Sequence, residues 1–418
     1  MLKKFILLLI LTTNIIYAQS KILIYMDLKQ TDHLKAYGIT YNALVNGVKA
    51  DWLLNYRGGS FMIDYTDKLA TQCRVEGVAF DLESASEATQ IYSIVQSDDK
   101  NMDVVRLEKA PKIAVFVPPG FQPWDDAVTI VLEYANIPYT KIWNDEILRG
   151  DLAKYDWLHL HHEDFTGQYG KFYASYSNAQ WYIDQQLEYE QDAKKNGFKK
   201  VSDMMKAVAE DIKNYVGNGG FLFAMCSATD SYDIALAAHN VDICDKMYDG
   251  DPPDPDAQEK LDFSNTLAFT NFKLEMNPYV YEYSNIDVQP AEIGNPQNDY
   301  FTLFDFSAKY DPVPTMLTQD HINVIHGFMG QTTMFHQEQI KKTVTILAKR
   351  DGTDQVKYIY GTYGRGFFAF YGGHDPEDYQ HLVGDPPTDL SLYKNSPGYR
   401  LILNNVLFPA AKKKKQKT

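Results

Sequence analysis

The feature that most constrains the fold of this chain is a series of continuous apolar runs, each followed by a turn and a helix-forming segment. Residues 112–117 read Lys-Ile-Ala-Val-Phe-Val, and residues 221–225 are apolar throughout. Apolar runs without polar alternation are typical of parallel strands that are buried on both faces. The alternation of such runs with helices therefore predicts an α/β fold with a doubly wound parallel sheet.

Hydrophobic periodicity gives the expected elements along the chain. Strands are predicted at residues 21–26, 51–55, 112–117, 139–143, 156–161, 221–225, 343–348, 356–360 and 367–371, and helices at 32–46, 125–135, within 180–216, at 227–238 and at 396–407. The first strand, helix and second strand indicate an opening β-α-β unit. The two strands on either side of residues 350–352 indicate a hairpin.

These elements divide the chain into six parts. We expect a signal peptide at 1–18, an N-terminal α/β segment at 19–110, a core at 111–238, a loop-rich insertion at 239–342, the C-terminal part of the core at 343–408 and a basic tail at 409–418. The insertion is assigned because residues 249–256 form an acidic, proline-rich turn, after which the alternation of strands and helices is lost.

The N-terminus carries the pattern of a secretory signal. Lys3 and Lys4 precede an apolar run over residues 5–11, and residues 16–18 supply a small residue at a cleavable position. The run is short of the ~20 apolar residues that a membrane-spanning helix requires. The sequence therefore predicts a protein exported to the periplasm or secreted, without a transmembrane segment.

Charge and cysteine content limit the expected partners. The formal net charge is -15, which argues against nucleic acid because such partners require clustered Lys and Arg. A small molecule, or a substrate derived from a glycan or peptide, is expected instead. The three cysteines, Cys73, Cys226 and Cys244, are too few for a disulfide framework, and an odd number leaves at least one thiol unpaired.

Cys226 is placed where a nucleophile would stand. It ends the predicted strand at 221–225 and precedes a helix, whose N-terminus favours a thiolate and an oxyanion. Ala224 and Ala228 keep the turn uncrowded, and the Ser227 N–H would help to bind the oxyanion. The alternative interpretation is a buried, inert cysteine.

His374 is the candidate base for this thiol. It follows a predicted strand and the pair Gly372-Gly373, so its ring is expected at the same sheet edge as Cys226. Asp375 or Glu377 would orient the imidazole, completing the three-part arrangement that an activated nucleophile needs. The alternative is an acidic turn that caps the final segment.

These motifs resemble the class I glutamine-amidotransferase-like superfamily. Its elbow is usually Gly-x-Cys-x-Gly and its later motif His-Pro-Glu, whereas residues 224–228 read Ala-Met-Cys-Ser-Ala and residues 374–377 read His-Asp-Pro-Glu. The resemblance implies a flavodoxin-like sheet and a Cys-dependent amide or acyl hydrolase or transferase. Residues 363–374 are also similar to the ThuA-like branch, which implies a non-catalytic carbohydrate- or peptide-binding protein as the alternative.

The full chain further resembles exported bacterial proteins of the family named asparagine synthetase B. Glutamine-dependent asparagine synthetases expose a cysteine after removal of Met and carry a Ser-Gly-Gly-x-Asp-Ser pyrophosphate loop. Here position 2 is Leu2, and the sequence contains no such loop. The family name is therefore expected to apply without the synthetase chemistry.

A second group of polar residues follows the third strand of the core. His161, His162 and Glu163 are candidates for substrate contacts, together with Gly120 and Trp124 after the first core strand. No cofactor is predicted from this pattern. Zinc is the alternative, with His159, His161 and Glu163 as ligands, because His159 and His161 share a strand face and a carboxylate follows.

Overall fold

The computed structural model describes residues 20–119, 126–380, 382 and 384–411. The predicted signal peptide and most of the basic tail lie outside these residues. Over the described residues, the chain forms a mixed α/β structure with two β-sheets, one of five strands and one of ten. In the described ranges, no helix has both the length and the apolar character needed to cross a membrane.

The N-terminal sheet is wholly antiparallel. Its elements are β1 Lys21–Ile24, α1 His33–Val45, β2 Ala50–Leu54, β3 Ser60–Asp64, α2 Asp67–Glu76, β4 Asp81–Glu83, α3 Ala85–Val95 and β5 Asp103–Leu107. The strand order is β4-β1-β3-β2-β5, so β3 lies between β1 and β2. The predicted opening β-α-β unit is thus a split unit, in which the next strand inserts between its two strands.

The ten-stranded sheet begins with a parallel part. Its elements are β6 Ile113–Phe116, α4 Ala127–Tyr134, β7 Thr140–Ile142, α5 Asn144–Leu148, β8 Trp157–Leu160, α6 Tyr173–Tyr176, α7 Gln180–Lys195, α8 Val201–Gly217, β9 Phe221–Met225 and α9 Ala228–Ala237. The long helical stretch predicted over 180–216 is therefore two helices. Gly197, at φ +86°, lies in the break between them.

The second part of the same sheet is antiparallel. Its elements are α10 Lys246–Asp249, α11 Pro290–Ile293, β10 Tyr300–Leu303, α12 Pro312–Leu317, β11 Val324–His326, β12 Phe335–His336, β13 Thr345–Lys349, β14 Gln355–Tyr363, β15 Gly366–Tyr371 and α13 Pro397–Leu407. The order across the sheet is β11-β10-β13-β14-β15-β9-β8-β6-β7, and β12 pairs with β14. β13 and β14 form the predicted hairpin.

Parallel pairing places four neighbouring strand ends at one edge. β15 pairs in parallel with β9, β9 with β8, and β8 with β6. Alternate side chains of β9 enter two different hydrophobic clusters: Phe223 and Met225 pack with residues of α4 and α13, and Leu222 and Ala224 with residues of α8 and α9. The strand is buried on both faces, as its continuous apolar run predicts.

Arg400 of α13 joins the two sheets. Its side chain is fully buried, and its guanidinium donates to the carbonyl oxygen of Met26 at 2.9 Å and to that of Gly58. It also donates to the Tyr37 hydroxyl of α1 at 3.1 Å. Helix α13 therefore closes the packing of the N-terminal sheet.

Candidate active site

Cys226 stands between β9 and α9 in a strained backbone conformation. Its φ is +48°, in the left-handed region that residues with a Cβ rarely adopt. The side chain is 2% exposed. Non-glycine residues held in this region cluster at functional sites, because the surrounding structure must compensate for the strain.

Three backbone N–H groups are directed at the Cys226 sulfur. They belong to Ser227, which follows it, and to Gln331 and Thr332, which come from the segment between β11 and β12. Burial raises the pKa of the thiol to about 11, although these N–H groups act in the opposite direction. The resting side chain is therefore a neutral thiol surrounded by donors that would stabilise an anion.

Residues 328–333, here called the covering loop, lie directly over the thiol. A Cβ added to Gly330 would stand 2.8 Å from the backbone nitrogen of His374 and 3.0 Å from the Cys226 sulfur. Gly330 therefore permits a close approach of three segments. Contact between the covering loop and the strand ends depends on the absence of a side chain at this position.

Two buried carboxylates accept hydrogen bonds from the covering loop. Asp230 of α9 accepts a hydrogen bond from the Thr332 hydroxyl at 2.8 Å, and Asp287 accepts one from the Thr333 N–H at 2.9 Å. Burial raises the pKa of Asp230 to about 7. The loop that carries the Gln331 and Thr332 N–H groups is thus fixed by side chains from two separate elements.

A buried lysine holds the ends of the same loop. Lys357 of β14 donates to the carbonyl oxygens of Phe328 at 2.5 Å and Thr333 at 3.0 Å. Its ammonium also lies 3.8 Å from the centre of the Phe328 ring, in cation-π contact. Burial lowers the pKa of Lys357 to about 7.

His374 lies at the same sheet edge, directly beyond β15. It is 4% exposed, and its ring centre is 4.2 Å from that of His161 and 5.7 Å from that of His162, both of which follow β8. One ring nitrogen of each histidine lies within 4.8 Å of the other two. The structure therefore brings His374, His161 and His162 into one cluster.

His159 and Asp126 lie behind this cluster. Nδ1 of His159 is 3.1 Å from the carbonyl oxygen of Phe223, and its Nε2 is 3.2 Å from Nδ1 of His161. Asp126 Oδ1 lies 3.4 Å from both of these facing nitrogens. Burial acts to raise the pKa of Asp126, but attraction by His159 and His162 lowers it overall.

The predicted carboxylates make other contacts. Glu163 accepts the His161 N–H at 2.8 Å, and burial raises its pKa to about 8. Asp375 accepts from the Glu377 N–H at 2.9 Å and from the Thr388 hydroxyl at 2.7 Å. Burial raises the pKa of Glu377. These hydrogen bonds of Asp375 support the turn after His374.

The remaining predicted residues are placed as follows. The Ser227 hydroxyl donates to the carbonyl oxygen of His162 at 3.2 Å, which ties the elbow to the end of β8. Gly120 and Trp124 lie outside the described residues. His159 and His161 share the predicted strand face, and His161 belongs to two groups of facing side chains, one with Asp126 and His159 and one with His162 and His374.

Several residues of the site were missed by sequence reasoning. Gln331 and Thr332 belong to the region predicted as an insertion, and nothing in their local pattern indicates that they approach Cys226. Asp126 falls inside the helix predicted at 125–135, whereas in the structure it caps α4 by accepting the Val128 N–H at 2.7 Å. A buried Lys357 within an apolar strand was the one available signal.

Comparison with known proteins adds little to this geometry. No protein-family model matches the chain, and no curated protein matches it. Two solved structures from Salmonella typhimurium are similar: cytoplasmic protein STM3548, with 10% identity and a TM-score of 0.35, and cytoplasmic protein STM1381 of strain LT2, with 13% identity and a TM-score of 0.35. Each alignment covers 72% of this chain and 100% of the other. Likenesses this weak carry no functional argument.

Proposed function

We propose that this chain is an exported, class I glutamine-amidotransferase-like protein that hydrolyses or transfers an amide or related acyl group through Cys226. The fold supports this proposal. Across the sheet the parallel strands lie in the order β7-β6-β8-β9-β15. Numbered by their order in the sequence, these five strands have the order 2-1-3-4-5. We infer from this order a flavodoxin-like fold, in which ligands bind beyond the carboxyl ends of the strands.

The observation that carries the proposal is the backbone of Cys226. A residue at φ +48° between a parallel strand and a helix is the geometry of a nucleophile elbow, which projects a side chain beyond the sheet. The N–H groups of Ser227, Gln331 and Thr332 converge on this point. Such donors stabilise the negative charge that develops in acyl transfer.

The chemical steps follow from these positions. The Cys226 sulfur forms a bond to the substrate carbonyl carbon while His374 takes the thiol proton. The carbonyl oxygen becomes an oxyanion, which accepts hydrogen bonds from the converging N–H groups. The C–N bond then breaks as His374 returns the proton to the leaving amine, and water or another acceptor releases the acyl group from sulfur.

The resting state of the thiol adds a requirement to this scheme. Because burial raises the pKa of Cys226 to about 11, the proton must leave during the attack rather than before it. Because the side chain is 2% exposed, the covering loop must also shift to admit a carbonyl group. His374 is then a base that takes the proton only as the sulfur attacks an electrophile, whether a substrate carbonyl or an alkylating reagent.

The raised pKa of Cys226 and the burial of its side chain also favour a second candidate, a ThuA-like protein that binds a carbohydrate or peptide without catalysis. A neutral, buried thiol fits a cysteine that has no catalytic role. In addition, Ala224 and Ala228 stand where the elbow of the superfamily usually has glycines. The synthetase chemistry that the name asparagine synthetase B implies, which the sequence argues against, forms no part of either proposal.

Alkylation by iodoacetamide between about pH 6 and 10 separates the two candidates. The labelling of each cysteine is followed by peptide mass spectrometry in the wild type and in His374→Ala, after treatment with a chelator. Cys244 is the internal reference, because it is also buried and its sulfur donates to the Thr166 carbonyl oxygen at 3.3 Å.

We expect Cys226 to react at least about tenfold faster than Cys244 near neutral pH, and to lose this advantage in His374→Ala. Ammonia release from glutamine and simple primary amides would then identify the substrate class. Equal, slow labelling of both cysteines in both proteins would contradict the catalytic proposal and support the binding protein.

A further inference from the structure

Three histidines at the strand ends are close enough to share one metal ion. Ring nitrogens of His161, His162 and His374 lie within 4.8 Å of one another. Zinc–nitrogen bonds of about 2.0–2.1 Å at tetrahedral angles would hold such nitrogens about 3.4 Å apart. The ring nitrogens therefore need to approach one another by at most about 1.4 Å, which small changes in the side-chain torsions can supply.

The hydrogen bonds behind the cluster select the tautomer that such a site needs. Nδ1 of His159 donates to the Phe223 carbonyl oxygen at 3.1 Å, and its Nε2 lies 3.2 Å from Nδ1 of His161. Oδ1 of Asp126 lies 3.4 Å from the same Nδ1 of His161, and a carboxylate oxygen can only accept, so this nitrogen carries the proton. Nε2 of a neutral His161 therefore carries the lone pair, and it is the atom that would bind a metal.

A buried carboxylate lies beside His159 and His161. Asp126 is 6% exposed, and its Oδ1 lies 3.4 Å from Nδ1 of His161. Carboxylate and carbonyl groups bonded to the distal nitrogen of a ligating histidine orient the ring and raise its basicity. Asp126 would also offset the charge of a bound cation in this enclosed setting.

We propose that His161, His162 and His374 form a binding site for a divalent transition metal of the zinc class, with His159 and Asp126 as the orienting groups. Three neutral imidazoles suit zinc and leave its fourth position for water or substrate. The site differs from the predicted set of His159, His161 and Glu163, because Glu163 accepts the His161 N–H instead.

Metal occupancy would also regulate the thiol, a consequence that rests on the proposed function. A nitrogen of His374 that coordinates zinc cannot at the same time take a proton from Cys226. The metal-bound protein would therefore react slowly with alkylating reagents, and the metal-free protein would react at the rate that His374 sets.

The test uses the full chain without an affinity tag, first stripped with a chelator and then titrated with zinc sulfate against a chromophoric competitor. The variants are His162→Ala, His374→Ala and Asp126→Asn, and the matched control is His326→Ala, an exposed histidine on β11. Circular dichroism establishes that each variant is folded. Substitution with cobalt gives a second readout, its visible absorption.

We expect a single equivalent of zinc to bind to the wild type and to His326→Ala. His162→Ala and His374→Ala should lose at least about a hundredfold in affinity, and Asp126→Asn about 10–100-fold. Absence of stoichiometric zinc, or affinity that is unchanged in folded His162→Ala and His374→Ala, would overturn the site.

Alkylation of Cys226 in the same samples separates this inference from the proposed function. Zinc should slow labelling in the wild type and leave it unchanged in His162→Ala. If zinc binds through the three histidines but the metal-free thiol is no faster than Cys244, the site stands and the catalytic proposal fails. If the metal-free thiol reacts fast and zinc does not bind, the catalytic proposal stands and the metal site fails.

Discussion

The two sheets each bury a cysteine, and the surroundings of the two thiols differ. Cys73 lies inside the regular helix α2, packed against the N-terminal sheet, and burial raises its pKa to about 12. Cys226 is equally enclosed, but it has a left-handed backbone and faces three N–H groups. Burial therefore does not distinguish the two cysteines, whereas backbone strain and directed donors do.

The polar groups of the two regions show the same contrast. In the N-terminal sheet the buried side chain of Gln30 donates to the carbonyl oxygens of Tyr25 at 2.7 Å and Ala79 at 3.0 Å, which fastens two loops. At the edge of the parallel sheet, buried groups that can titrate, such as Asp230 and Lys357, fasten the covering loop around a thiol. Fold stability and site geometry depend there on the same side chains.

The largest expected effect is that of Lys357→Met. Two buried carbonyl oxygens would lose their donor, at about 1–3 kcal/mol each, so we expect the free energy of unfolding to fall by about 3 kcal/mol. The matched change in the N-terminal sheet is Lys21→Met, which removes a half-buried ion pair with Asp64 and should cost under about 1 kcal/mol. Urea denaturation measures the loss in free energy of unfolding for both variants. Similar losses would contradict the expected difference between the two regions.

Glu163→Gln should change how stability depends on pH. Because the folded pKa of Glu163 is raised to about 8, the native state keeps a proton that the unfolded chain releases near its ordinary pKa. Its contribution to stability is therefore present at low pH and is lost as the pH rises towards 8. We expect the variant to lose about 2 kcal/mol less than the wild type between about pH 6 and 8.

Glu87→Gln in α3 is the control for that experiment. Its exposed carboxylate accepts hydrogen bonds from Ser84, which lower its pKa. It therefore stays ionised over the same interval, and the variant should parallel the wild type. Chemical denaturation at each pH gives the comparison, and a Glu163→Gln profile parallel to that of the wild type would refute the expected shift.

Gly330→Ala should disturb the site by overpacking. The added methyl group would meet the backbone of residues 373 and 374 and the sulfur of Cys226, so the covering loop must move at a cost of about 1–2 kcal/mol. Alkylation of Cys226 should change by about tenfold as the loop shifts, since that rate depends on access and on the thiolate fraction. Gly47→Ala, where nothing lies within 4 Å, should leave this rate unchanged.

The smallest expected effect tests the strain at Cys226 directly. In α2, Cys73→Gly should be less stable than Cys73→Ala by about 1 kcal/mol, because glycine weakens a helix interior. At φ +48°, Cys226→Gly should instead be more stable than Cys226→Ala by about 1 kcal/mol. Thermal unfolding of the four variants reads out the sign, and the same sign at both positions would mean that Cys226 is not strained.

Much of the parallel sheet is predictable from local sequence. Strands such as β6 and β9 are buried on both faces and therefore read as apolar runs, and the turn after each run locates Cys226 and His374 at strand ends. Pairing that joins distant segments is not encoded locally. The insertion of β3 between β1 and β2, and the addition of β10 and β11 to the sheet, depend on register and packing over the whole chain.

The candidate site divides along the same line. The sequence indicated a thiol, a histidine base and a group of histidines, because each follows a recognisable strand. It did not indicate the Gln331 and Thr332 N–H groups, because every residue type except proline carries a backbone N–H. Nor did it indicate that Glu163 would bond the N–H of His161, because a rotamer choice depends on neighbours from other elements.

The contacts of Arg400 have a consequence for how the chain acquires its structure. Arg400 of α13 follows Met26 by 374 positions and Gly58 by 342, yet its guanidinium binds the carbonyl oxygens of both residues beside the N-terminal sheet. The packing of that sheet is therefore complete only when these distant segments have come together. Contacts between such distant positions slow folding and prolong the exposure of apolar surface, so this protein should depend on chaperones during its synthesis.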